Sequence, residues 1–327
     1  MSNIMNTKEK IIQLLKEQNQ VTSGEMVEYL DISRQALYKH LPEMLKNKQI
    51  LKIGRPPKVF YALKEKEAKI EKVEIDTKIK KIIDQNYFII TPGGERIEGF
   101  SGFIYWCNKQ GLPIIKTAQE YIKTLKKYSI YKKNSLIDGM QKIRATFKSN
   151  LFLDDVYYLD FYSIERFGKT KLGQILLYAK QSQNKKLMKE LIDDIRPAVE
   201  GTIKKFNIDG VGFVSPTVKR EVQFMNELKK KLNLKAKEIK ITKIKTNITI
   251  PQKTLNKLDD RIENAQKTFA IEEMGRYKNI LLIDDAIGSG ATLNEIAKKL
   301  KSKGVAKKVI GLAITGSFKG FDVVSEI

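Results

Sequence analysis

The sequence predicts a multidomain chain, with a small α+β module at the amino end and a larger α/β domain with a mainly parallel sheet at the carboxy end. Three observations predict it. At 327 residues the chain exceeds one typical domain. Residues 1–63 read helix, helix, turn, helix, then two short β runs. From about residue 172 onward, helical patterns alternate with short apolar β runs, which argues for strands joined by crossover helices. Three regions are expected: 1–63, a connecting region over 64–150, and 151–327.

Composition narrows the class. With 42% hydrophobic and 9% aromatic residues, the chain can bury sizeable cores. Lys plus Arg number 61 against 38 Asp plus Glu, a net charge of +23. Such a surplus attracts polyanions and favours phosphate contacts, so nucleic acid is an expected partner. A generally Lys-rich surface is the plainer alternative, since Lys far outnumbers Arg. One Cys and one His leave no room for an intramolecular disulfide or a cysteine-based zinc site. No uninterrupted run of about 18 apolar residues and no hydrophobic leader are present, so no membrane association and a cytoplasmic location are expected.

In the amino-terminal module, "TKEKIIQLLKEQ" (7–18) places Ile11, Ile12, Leu14 and Leu15 on one helical face behind a Thr7 cap. "TSGEMVEYL" starts a second helix with Ser23 as the expected cap. After the "DIS" turn, Ser33 caps "RQALYKHLPEMLKNK", whose Ala36, Leu37, Leu41 and Leu45 face inward. Arg34, Gln35, Tyr38 and Lys39 then face outward. "QILKI" and "VFYAL" are β runs around a "GRPPK" tip. This is the order of a winged helix-turn-helix, and residues 5–63 resemble winged-helix transcriptional regulators, the "GRPPKVFYAL" ending included. The resemblance implies a third helix in the major groove, with Ser33, Arg34, Gln35, Tyr38 and Lys39 near DNA. Arg55 and Lys58 in the wing then approach phosphates or a narrow minor groove. A winged helix used for protein contacts is the alternative. Since winged helices often read paired half-sites, a homodimer is expected.

Residues 64–82 are charged and helix-compatible, and read as a linker or connecting helix. A hairpin around Pro92-Gly93-Gly94 carries the only Trp, followed by helices near 114–128 and 135–148. Trp106 and its aromatic neighbours read as core, and no site chemistry is legible here.

The carboxy-terminal domain carries the chemistry. "NILLIDDAIGSGAT" (279–292) is an aliphatic strand ending in two acids and a small-residue turn. In parallel sheets, ligands bind at the carboxyl ends of strands, which is where Asp284 and Asp285 would stand, on an exposed strand end. Gly288 and Gly290 permit backbone conformations closed to other residues. Ser289 and Thr292 add hydroxyls, and a helix beginning near Thr292 adds its positive end, so Ala286, Ile287, Gly288, Ser289, Gly290, Ala291 and Thr292 form a phosphate site. A phosphate needs no carboxylates beside it; two acids suit a vicinal diol, and a ribose 5-phosphate has both features. The Lys-Ser/Thr ending of a Walker loop is missing.

The stretch resembles the phosphoribosyl pyrophosphate motif of type I phosphoribosyltransferases at Asp284, Asp285, Ser289, Gly290 and Thr292. Pro251, Gln252, Arg261, Asn264 and Phe269 resemble the segment ahead of that motif in ComF-like members, and Lys180 sits where that family has a Lys. The likeness covers about 150–320 and implies a type I phosphoribosyltransferase fold. It departs in two places: the cysteine-rich zinc element is missing, its place expected to be taken by the hairpin near 88–110, and "AIGS" replaces a hydrophobic-x-Thr-Thr run. The resemblance further implies a pyrophosphate or lid role for Ser215, Lys219, Arg220, Lys243, Lys245 and Arg261. Mg²⁺ would enter with phosphoribosyl pyrophosphate, with no protein-only metal site.

Three functions are compatible with these readings. The first is a DNA-binding transcriptional regulator that senses phosphoribosyl pyrophosphate or a related nucleotide. The others are a catalytic phosphoribosyltransferase and a ComF-like factor in DNA uptake or processing.

Overall fold

The computed structural model describes residues 5–64, 73–216, 218, 220–244, 248, 250 and 252–317, apart from the side chains of Arg55 and Lys253. The chain divides into two compact units, Met1–Val73 and Glu74–Ile327.

The first unit contains α1 (Thr7–Gln18), β1 (Gln20–Thr22), α2 (Ser23–Leu30), α3 (Arg34–Lys46), β2 (Ile50–Arg55) and β3 (Lys58–Leu63). The strands form an antiparallel sheet in the order β1-β3-β2. Two caps lie one residue earlier than expected. Asn6, not Thr7, caps α1, and Thr22, not Ser23, caps α2. In each case the residue three positions on is a Glu that bonds back to the cap's N–H, so the reciprocal capping box fixes the start. Ser33 caps α3, accepting from the Ala36 N–H at 3.2 Å. Along α3 the buried residues are Leu37, Leu41 and Met44, with Ala36 and Leu45 only partly covered. An i, i+4, i+7 stripe is the inner face of a helix, and Met44 holds the place expected of Leu45. With Ile11, Leu14, Leu15, Val21 and Met26 they make this unit's core.

The second unit begins with α4 (Thr77–Asn86), the hairpin β4 (Phe88–Ile90) and β5 (Arg96–Glu98), α5 (Gly99–Lys109), α6 (Ile114–Ser129), β6 (Lys132–Lys133), β7 (Leu136–Asp138) and α7 (Met140–Phe147). Residues 74–150, which read as a connecting region, thus pack within this unit. Trp106 lies on α5 rather than in the hairpin. It joins Tyr87, Phe103, Tyr121 and Phe167 in an aromatic cluster with ring centroids 5.0 to 6.4 Å apart. The helix expected over 135–148 starts only at Met140. Leu136 and Ile137 are drawn into a strand, where pairing with the sheet edge buries both.

There follow β8 (Asp155–Phe161), α8 (Lys171–Ser182), α9 (Lys185–Lys205), β9 (Gly210–Phe213), α10 (Phe224–Leu232), β10 (Lys237–Glu238), β11 (Ile241–Lys243), α11 (Leu258–Thr268), β12 (Phe269–Ile271), β13 (Tyr277–Ile287), α12 (Ala291–Ser302) and β14 (Ala306–Gly316). The described strands build a seven-stranded sheet in the order β10-β9-β13-β14-β8-β7-β6. Its first five strands are parallel, and β7 and β6 close it antiparallel. β11 and β12 pair with each other and stand apart from this sheet.

β13 lies third in the order, and its Ile280, Leu281, Leu282 and Ile283 are at most 2% exposed. Covered on both faces, it reads as an unbroken apolar run, as central parallel strands do. Residues of α8, α9 and α10 pack in one cluster with β13 and β14. α12 packs on β14 and on α11. Asn294 ties its first turn to the chain before β8: its side chain accepts from the Phe152 N–H at 2.8 Å and donates to the Asn150 carbonyl at 2.9 Å. No described helix is long and apolar enough to cross a membrane.

Candidate functional site

Asp284 and Asp285 lie near the carboxyl end of β13, where successive side chains point to opposite faces. Asp285 accepts a hydrogen bond from Lys180 Nζ, on the last turn of α8. Asp284 accepts the Asp285 N–H at 2.8 Å. Lys243 at the end of β11 is near enough for its charge to favour the Asp284 carboxylate. Neither acid is on an exposed strand end, as the sequence had suggested. Both are half-buried, and the Asp285 side chain is only 18% exposed. The strand runs on to Ile287, two residues beyond Asp285. Burial, helped by the negative charge of Asp285, pushes the Asp284 carboxyl up to about 7.

The loop that follows is shaped by one glycine, not two. Gly290 has φ +79°, and a Cβ there would collide with Ile143 Cδ1 on α7. Gly288 takes no positive φ, and a Cβ would sit 3.5 Å from Arg261 Nη1, an ordinary contact. Its expected role in a special backbone shape is therefore not realised, whereas Gly290 carries both the turn and the close approach of α7. Gly290→Ala is expected to destabilise the protein by about 1–3 kcal/mol, read as a lower denaturant midpoint. α12 begins at Ala291, one residue before Thr292. Ser289 is buried, and its Oγ accepts the Ala291 N–H at 3.3 Å.

An open cleft of about 250 Å³ gathers these groups. Asp284, Asp285 and the whole loop from Ala286 to Thr292 line it, together with Lys180, Ser215, Arg220, Gln252 and Arg261. Arg220 donates through Nη1 to the Lys180 carbonyl at 2.7 Å, fastening the β9–α10 connection to the end of α8. Val222 N–H to Gln183 Oε1, at 2.7 Å, repeats the link. Arg261 is buried, and its Nε donates to the Leu255 carbonyl at 2.7 Å. Burial lowers its pKa. Gln252 donates to the Arg261 carbonyl at 2.9 Å. Lys243 does not line the cleft. Its Nζ lies 4.8 Å from the Phe269 ring centroid, and burial pulls its pKa down against the opposing effect of Asp284. Lys219, Lys245 and Pro251 fall outside the described residues, as does the chain beyond Ser317. Among the described residues no group of three or more His, Cys, Asp or Glu converges as a metal centre.

The resemblance pointed to Lys180, but no pattern in the sequence tells that it reaches Asp285 across 105 residues. Ile143 beneath Gly290 carried no signal at all.

In the first unit, Arg34, Gln35, Tyr38 and Lys39 are exposed on the opening turns of α3, and Ser33 at its cap is exposed too. The Tyr38 hydroxyl is 3.4 Å from Ser23 Oγ. Lys58 is exposed at the start of β3, while the Arg55 side chain lies outside the described part.

No protein-family model matches the chain, and no curated protein does. Among solved structures, a crystal structure of adenine phosphoribosyltransferase is similar over 42% of this chain and 73% of that chain, at 17% identity and a TM-score of 0.27. A likeness that loose carries no conclusion about this chain.

Proposed function

We propose that the chain is a DNA-binding regulator whose second unit binds phosphoribosyl pyrophosphate or a related nucleotide. The observation that carries this reading is the cleft. Two carboxylates near the end of a parallel strand are followed, two strand residues on, by a loop with a buried hydroxyl and the start of a twelve-residue helix. The amide end of the helix suits a phosphate, and the acids suit the vicinal hydroxyls of a ribose. A ribose 5-phosphate moiety joins those demands in one ligand. With two acids at the cleft, Mg²⁺ is read as arriving on the ligand's pyrophosphate, where it neutralises charge.

The DNA-binding half rests on the first unit. A Ser-capped α3 follows α2 and a short turn, and a hairpin follows α3, which is the order of a winged helix-turn-helix. Arg34, Gln35 and Lys39 present exposed polar groups at its amino end, and the chain's charge of +23 favours phosphate contacts. Symmetric half-sites would call for a homodimer. Arg55→Ala is expected to weaken DNA binding by roughly 1 kcal/mol or more, measured by titration at fixed salt. No change would point to a winged helix that contacts protein. The regulatory claim is tested by DNA affinity with and without phosphoribosyl pyrophosphate and Mg²⁺. Equal affinities remove it.

The cations beside the cleft favour a second reading, a catalytic phosphoribosyltransferase. Lys180, Arg220 and Arg261 line the cleft, and cations suit the charge of a departing pyrophosphate. Pyrophosphate release with a panel of bases decides between the two. Tight binding without turnover on any acceptor supports the regulator.

A further inference from the structure

In the free site the Asp285 carboxylate is already paired, and Lys180 is its partner. Its ammonium is hydrogen-bonded to Asp285, the same carboxylate that a ribose diol would need. The lysine is not locked there, since its side chain stays 31% exposed and lines the open cleft. Its backbone, by contrast, is anchored: the Lys180 carbonyl accepts from Arg220, and α8 is packed into the core through Leu176 and Ala179. A fixed stem with a cleft-facing ammonium can change partner at small cost in ordering.

We propose that Lys180 exchanges partners on ligand binding, leaving Asp285 for the anionic diphosphate of the ligand, and that this exchange makes the site prefer 5-phosphoribosyl diphosphate over ribose 5-phosphate. The inference rests on the 5-phosphoribosyl reading given above. Ribose 5-phosphate must compete with the ammonium for Asp285, and with its one phosphate at the loop it offers the displaced cation no second anion. A ligand that also carries a diphosphate supplies that anion, so the ion pair is replaced rather than lost. Asp284 completes the arrangement. Its pKa is held up by burial beside Asp285, and Lys180 and Lys243 are the two cations that oppose this. Moving Lys180 away from the acids is therefore costly unless the diol's hydroxyls bond to them.

The test is calorimetry in magnesium buffer with ribose 5-phosphate and 5-phosphoribosyl diphosphate, on wild type, Lys180→Met and Lys180→Arg. Lys180→Met is expected to lose about ten- to hundredfold in affinity for the diphosphate, the scale of one charge-assisted bond, while its affinity for ribose 5-phosphate holds or improves. Lys180→Arg, which keeps the cation, is expected to retain the preference. Parallel losses for both ligands in Lys180→Met, or no change for either, overturn the partner exchange and leave Lys180 a structural pair for Asp285. Retained ribose 5-phosphate binding shows that the variant is folded. If the wild type binds neither ligand, the 5-phosphoribosyl reading itself fails and the exchange fails with it.

Discussion

Replacing Asp284 and Asp285 together by Asn is expected to remove measurable phosphoribosyl pyrophosphate binding while the second unit stays folded. A hydrogen bond to a charged group contributes about 1.5–3 kcal/mol, so losing two such bonds weakens binding by a hundredfold or more. The amides are near-isosteric, and an amide side chain at position 284 keeps an oxygen for the backbone N–H of the next residue, which Asp284 now accepts. The fold should survive for that reason, and because the two acids line a cleft rather than the apolar core. Calorimetry with Mg²⁺ measures the loss, and a urea transition on the same sample reports the fold. Affinity within tenfold of wild type would show that the acids do not touch the ligand.

The single change Asp284→Asn is expected to stabilise the free protein at neutral and alkaline pH. The folded chain holds this carboxyl up to about 7, mainly through burial, with the Asp285 charge adding to it. The unfolded chain has an ordinary carboxylate that titrates near pH 4. The folded state therefore binds the proton more tightly. Stability is undiminished below about pH 4, falls as pH rises from there through about 7, and stays reduced above it. Asn carries no proton to lose, so the variant should gain roughly 2–4 kcal/mol over wild type above pH 8 and nothing at pH 4. Urea midpoints at the two pH values check it. An equal gain at both would trace the effect to packing rather than charge. The opposite demands on Asp284 follow from one cause: a carboxylate kept half-buried for a ligand costs stability while the ligand is away.

Much of the local structure was legible from the sequence. The apolar spacing placed α1 to within one residue of its start, and "NILLIDD" read as an aliphatic strand of a mainly parallel sheet; its run is unbroken because the strand is covered on both faces. The loop after it was legible because Gly, Ser and Thr in that order have few other uses at the end of a strand. Caps were readable to within one residue. Asn6 and Thr22 take the cap from Thr7 and Ser23 because each has a reciprocal Glu three positions on.

Other features depended on parts of the chain far apart in sequence. Leu136 and Ile137 fit a helix or a strand equally well, and only the free edge of β8 decided for strand. Gly288 and Gly290 look alike in sequence; a left-handed φ and the approach of Ile143 single out Gly290. The burial of Asp284 and the grip of Lys180, on α8, upon Asp285 are likewise tertiary facts. By itself, the sequence determined most element types, the acids and the position of the loop, because these rest on side-chain periodicity and backbone freedom over a few residues. Only the tertiary structure decided which groups meet, how deeply the acids are buried and which cation balances them, because desolvation and charge pairing depend on neighbours that the order of residues does not bring together.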